Sequence, residues 1–154
     1  MEIRPAAENE APLLSSLVMR AKAHWGYSGE ALDNWRAELA VSAADIREHP
    51  AFVATMEGEV AGFYSLRPGQ SAWELDNLWV APEFMRRGIG RSLLRHALGT
   101  AARGGAVEVT VDADPNAEAF YVSCGAIRRG EVAAPIRGEP ARVRPQLAFV
   151  DIGR

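Results

Sequence analysis

Residues 86 to 92, Arg-Arg-Gly-Ile-Gly-Arg-Ser, have the makings of a phosphate-binding loop. They follow an aromatic and aliphatic run, Trp73 to Val80, that Ala81-Pro82 interrupts, and they precede Ile89, Leu93, Leu94, Ala97, Leu98 and Ala101 at helical spacing. The pattern predicts strand, glycine loop and helix, with the helix opening at the glycines. First-turn N–H groups lack intrahelical partners, and the helix dipole adds partial positive charge there. Arg86, Arg87, Gly88, Ile89, Gly90, Arg91 and Ser92 can therefore cradle a phosphate group. The strand itself carries two carboxylates. With a period of two, Glu74, Asp76, Leu78 and Val80 share one face, and Trp73, Leu75, Asn77 and Trp79 the other. Glu74 and Asp76 are thus alternative proton acceptors on one side, or members of a solvated edge or an ordinary ion pair.

Two familiar phosphate loops do not fit. A P-loop ends in Gly-Lys-Ser/Thr, but Gly90 is followed by Arg91-Ser92, with no lysine to reach a terminal phosphate. A dinucleotide fingerprint needs a further glycine or alanine where Leu93 stands. His24, His49 and His96 are scattered without metal-ligand spacing, so no metal is predicted. Cys124, the single cysteine, sits at an apolar helical position with no adjacent histidine and reads as a buried small side chain.

At 154 residues the chain has the size of one domain, and we expect a single domain over 1–154. A net charge of −3 with 24% charged residues does not recruit nucleic acid. Arg128, Arg129, Arg137, Arg142 and Arg144 against Glu131 and Glu139 leave the C-terminal segment locally basic, which reads first as solvated surface charge. Met-Glu-Ile-Arg-Pro lacks the pattern of a signal peptide, and no apolar run approaches membrane-spanning length. A soluble cytoplasmic protein without membrane or nucleic-acid partners is the expectation.

The elements that must position these residues follow in order. Glu2 to Arg4 is a short strand, Ala6 to Ala23 a helix, and Glu30 to Ala40 a second helix after the aromatic elbow His24 to Gly29. Ser42 to Pro50 reads as a short helix or turn, and Ala51 to Met56 with Val60 to Leu66 as a hairpin about Glu57-Gly58. Gly104-Gly105 ends the long helix, Val107 to Val111 is a strand, and Ala117, Phe120, Tyr121 and Cys124 lie on a short helix stopped by Gly125. Ile127 to Glu131 and Gln146 to Asp151 are the last strands, separated by an irregular loop marked by Pro135, Gly138, Pro140 and Pro145. The order predicts an α/β fold of mixed α+β kind, a mixed sheet of about six to seven strands flanked by helices on both faces.

Leu78-Trp79-Val80-Ala81-Pro82 followed by Gly88-Ile89-Gly90 resembles motif A of the GNAT superfamily of acyl-CoA-dependent N-acetyltransferases. One position departs: the family's arginine or glutamine falls on Met85, leaving Arg86 and Arg87 as local cations. Asn116-Ala-Glu-Ala-Phe-Tyr121, finished by Gly125-Ala126, resembles a shortened form of the family's second signature. The order of elements resembles the family over nearly the whole chain, while the specific motifs lie within residues 75 to 125.

The resemblance implies acetyl-CoA as acyl donor, with pantetheine paired along the backbone of Leu78, Trp79 and Val80 and hydrogen-bonded by Asn116. It implies that Tyr121 protonates the departing thiolate, and that a strand carboxylate serves as general base, Asp76 ahead of Glu74. It places Trp25 and Tyr27 over the acceptor site, although both could equally staple the two helices together. The expected reaction is direct transfer to a primary amine, by default of a small molecule, in a ternary complex. A non-catalytic acyl-CoA sensor or interaction module, or an enzyme acting on a protein amine, are the alternatives, and homodimerisation stays open.

Overall fold

The computed structural model describes residues 1–153. Seven strands form one mixed sheet in the order β1-β2-β3-β4-β5-β7-β6, and with the helices they make the expected α/β fold. The strands are β1 (Glu2–Pro5), β2 (Ala51–Met56), β3 (Glu59–Arg67), β4 (Ala72–Val80), β5 (Glu108–Asp112), β6 (Ile127–Ala133) and β7 (Val143–Phe149). The helices are α1 (Ala11–Ala23), α2 (Gly29–Leu39), α3 (Ala43–Glu48), α4 (Ile89–Arg103) and α5 (Glu118–Ser123). The chain divides into two compact units, Met1–Leu66 with Asn77–Ala97, and Arg67–Asp76 with Leu98 onward. No helix among the described residues is long and apolar enough to cross a membrane.

In the first unit Leu14, Leu17, Val18 and Ala21 recur every three to four residues along α1 and are all buried. Ser28 caps α2 by accepting from the Ala31 N–H at 3.1 Å, and Ser42 and Asp45 form a reciprocal capping box on α3. The β2–β3 hairpin turns at Glu57 and Gly58, both at positive φ, the geometry that suits the twist of a two-residue connection. One residue further in, the register shifts: Ala54 pairs with Gly62 and Thr55 with Val60, so Ala61 is the extra residue of a bulge. Its carbonyl accepts instead from the Ala81 N–H at 2.8 Å, just beyond the end of β4.

In the second unit Ala72 to Glu74 pair in parallel with Glu108 to Thr110, and β5, β7 and β6 continue antiparallel. Trp73, Leu75, Val109, Val111, Leu147 and Phe149 fill its core. The end of α4 turns at Gly105 (φ +99), and the Trp73 ring lies where a Cβ on Gly104 would fall. The C-terminal hairpin is tighter than the proline spacing suggests: β6 runs on to Ala133, and β7 starts at Val143 with Pro145 inside it and ends at Phe149. Pro145 is tolerated because its carbonyl meets the Ala113 N–H past the last β5 residue, so its missing donor removes only the final rung.

Gly62 marks a close approach of backbone to backbone in the first unit. A Cβ there would stand 2.6 Å from the Trp79 carbonyl oxygen, 3.1 Å from Leu93 Cδ1 and 3.3 Å from Val80 Cα. Backbone cannot yield as a side-chain tip would, so Gly62→Ala is expected to lower the unfolding free energy by roughly 1–3 kcal/mol in urea denaturation. An unchanged midpoint would mean that β3 and β4 part without cost.

Candidate active site

After β4, a single 3-10 turn at Pro82–Phe84 buries Phe84, and the backbone then reverses through Arg86 (φ +64) and Gly88 (φ +80) before α4 starts at Ile89. Ile89 is 1% exposed and anchors this first turn in the core. The Ser92 N–H bonds the Gly88 carbonyl at 3.1 Å, so the amides of Ile89, Gly90 and Arg91 precede the first helical rung. Nothing lies within 4 Å of a Cβ placed on Gly88, so the loop is open to solvent at that residue. Arg87 is drawn aside, 3.4 Å from Glu57 and with its guanidinium 5.3 Å from the Phe84 ring centre. Arg86 and Arg91 are exposed, and Met85 is half-buried.

Leu78, Trp79 and Val80 form the half-buried end of β4. Trp79 donates through Nε1 to Asn77 Oδ1 at 2.9 Å, and Asn77 donates in turn to Ser65 Oγ at 2.9 Å. The Trp25 ring lies 5.9 Å from that of Trp79. Tyr27 instead meets Trp35 edge-on at 4.8 Å, beside the buried Lys22, whose ammonium stands 4.1 Å from the Trp35 ring centre. The two elbow aromatics therefore part company: Trp25 sits against β4, and Tyr27 ties α1 to α2.

In the second unit, Asp76 is exposed and pairs with Arg67 at 3.2 Å. Glu74 is half-buried, and burial raises its carboxyl above the ordinary value, with the Asp76 charge adding to the rise and Arg67 opposing it. Tyr121 is 6% exposed, edge-on to Phe120 and Phe149. Burial pushes its phenol upward, and Cys124 and Asp114 push the same way. Asn116 is exposed and donates from its backbone and its Nδ2 to Asp114 Oδ1, at 2.8 and 3.0 Å. The basic C-terminal segment is paired within the chain: Arg128 with Glu118 and Glu131, Arg129 with Glu108, Arg144 with Asp112. Among the described residues no cluster of histidine, cysteine and carboxylate side chains has the makings of a metal site.

Gly62 and the Asp114–Arg142 ion pair escaped the sequence reading. The glycine inside an apolar strand run is the standard sign of close backbone approach. The ion pair joins residues 28 apart in sequence and left no local signal.

Residues 17–126 match the model of the acetyltransferase (GNAT) family, and the chain belongs to that family. No curated protein sequence matches it. Among solved structures it is similar to a GCN5-related N-acetyltransferase from Rhodopseudomonas palustris, at 24% identity over 97% of this chain and 94% of that one, TM-score 0.82. It is similar to PaiA N-acetyltransferase from Thermoplasma acidophilum, solved in complex with coenzyme A, at 19% identity over 97% and 98% of the two chains, TM-score 0.80. A third is yncA from Salmonella typhimurium, solved with its cofactor acetyl-CoA, at 19% identity over 97% and 93%, TM-score 0.72. At these identities the likeness is one of fold.

The Glu74 shift has a consequence for stability. A carboxyl raised in the folded state holds its proton more tightly than in the unfolded chain, so stability falls as pH rises from the ordinary carboxyl value through the raised one. Glu74→Gln should therefore melt above wild type at neutral pH and converge with it near about pH 4. Equal melting temperatures at neutral pH would show that the raised carboxyl has no energetic weight.

Proposed function

We propose that the protein is an acetyl-CoA-dependent N-acetyltransferase, a single catalytic domain that acetylates a primary amine of a small cytoplasmic molecule by direct attack in a ternary complex. The observation that carries the reading is the left-handed turn at Arg86 and Gly88 opening α4 on a buried Ile89, directly after β4. Family membership supports it.

In this reading Gly88 to Ser92 hold the phosphates through backbone N–H groups, so Met85 can stand where the family's motif carries arginine or glutamine. Arg86 and Arg91 add positive charge, and Arg87 shapes the loop from its place beside Glu57 and Phe84. The backbone of Leu78 to Val80 and Asn116 line up the pantetheine arm, and Trp25 walls the acceptor side; Tyr27 supports that wall through α2. Bound acetyl-CoA supplies an activated thioester.

The amine nitrogen bonds to the thioester carbonyl carbon, and its proton passes to a strand carboxylate, directly or through water. We favour Glu74 over Asp76 for this step. Its raised carboxyl is the better-matched base, whereas Asp76 is already held by Arg67. The carbon–sulfur bond then breaks with its electron pair on sulfur, and the Tyr121 hydroxyl donates its hydrogen to that atom. Burial keeps Tyr121 neutral, so its proton moves only as charge collects on sulfur. Orientation of two bound reactants contributes more, up to about 7–11 kcal/mol of barrier in ideal cases.

Tyr121→Phe should lower kcat by roughly 10²-fold or more with acetyl-CoA affinity unchanged, measured as release of CoA thiol over a panel of amines. Calorimetric titration tests the reading at its base: wild type should bind acetyl-CoA, and a folded Gly90→Glu variant, with a carboxylate placed among the phosphate donors, should not. Wild-type binding with no turnover on any amine would leave an acyl-CoA sensor. Absence of binding would sink both.

A further inference from the structure

The two charges in the Asp114–Arg142 pair are nearly sealed from solvent, with side chains 6% and 5% exposed and Oδ2 to Nη2 at 3.4 Å. Every other ion pair named above has at least one partner far more open, Glu108 at 24% being the most enclosed. Arg142 stands at the loop end of the β6–β7 hairpin, where its Nη1 donates to the Ala134 carbonyl at 3.0 Å and its own carbonyl accepts from the Ala134 N–H at 3.0 Å. Asp114 caps the short turn Pro115–Ala117 that leads into α5. Its other oxygen, Oδ1, takes both the backbone N–H and the Nδ2 of Asn116.

Stability alone does not account for such a pair. Burying a carboxylate and a guanidinium is costly, and well-packed apolar residues of similar volume do as well or better. What the pair does that apolar residues would not is hold an exposed amide side chain in one orientation. A donated Nδ2 hydrogen fixes which way the Asn116 amide faces, and Arg142 fixes the carboxylate that receives it.

We propose that Asp114 and Arg142 are positioning residues for acyl-CoA binding, a buried clamp that ties the β6–β7 hairpin to the turn before α5 and sets the Asn116 amide and the start of the Tyr121 helix. This rests on the acetyl-CoA reading above.

The test is a double-mutant cycle on Asn116→Ala and Arg142→Met, with acetyl-CoA affinity read by calorimetry and melting temperature read on the same samples. Each single change should weaken binding up to about tenfold, the upper end of what one hydrogen bond between neutral groups contributes. Together they should weaken it by little more than either alone, because Arg142 acts through Asn116. A double variant about a hundredfold weaker, the additive result, overturns the proposal, as does an Arg142→Met protein that melts early yet binds normally. Should Arg142→Met not fold, Asp114→Leu/Arg142→Met removes both charges at once. It should regain stability while staying about tenfold weak, and wild-type affinity in it would overturn the clamp. Wild type that binds no acetyl-CoA removes the functional reading itself, and the clamp's purpose with it.

Discussion

The end of β4 is fixed by the absence of a side chain. At Gly62 the backbone of β3 runs so close to the Trp79 carbonyl that no Cβ fits, and Leu93 from α4 closes over the same point. The bulge at Ala61 then turns a carbonyl out of the β2–β3 ladder to take the Ala81 N–H. The strand therefore ends at a set height, the turn after it starts from a pinned residue, and α4 opens where Ile89 drops into the core. Two close-packed backbones and the Leu93 side chain thus hold the end of β4 and the first turns of α4 against one another. Side-chain chemistry enters afterwards: Arg86 and Arg91 stand exposed on this frame, while Arg87 lies against Glu57 and Phe84.

The second unit surrounds its apolar core with ion pairs. Its surface pairs, such as Arg144 with Asp112 and Arg128 with Glu131, contribute little each, since exposed ions are well served by water. They consume the basic excess of the C-terminal segment, which leaves less positive charge to draw an anionic acceptor than the residue count suggests. Glu74 and the Asp114–Arg142 pair are different in kind. One is a carboxylate held where ionisation is unfavourable, the other a pair of ions that must satisfy each other because water is excluded. Carboxyls raised by burial cluster at working sites more than in scaffolding, and Glu74 is one.

Most of the fold was legible along the chain. The hairpin about Glu57-Gly58, the long helix closed by Gly104-Gly105 and the α1 pattern of Leu13, Leu14, Leu17 and Val18, of which all but Leu13 are buried, each announce themselves through local periodicity or turn chemistry. The last hairpin was less so. Four loop-forming residues mask a β7 that begins at Val143, because whether a proline can sit in a strand depends on whether a neighbour still needs its N–H. At Pro145 the neighbour has run out.

The candidate site divides along the same line. Period-two geometry alone puts Glu74 and Asp76 on one face, and helix geometry alone makes the residues after Gly88 a row of unpaired donors. Those are consequences of local backbone repeat, and the sequence by itself determined them. Which carboxylate is bound to Arg67 and which is half-buried, which elbow aromatic reaches Trp79 and which packs on Trp35, and what fixes Asn116 were decided only by the tertiary structure. Each depends on a partner brought from a distant part of the chain, Arg142 to Asp114 above all, and desolvation and pairing have no value until that partner arrives.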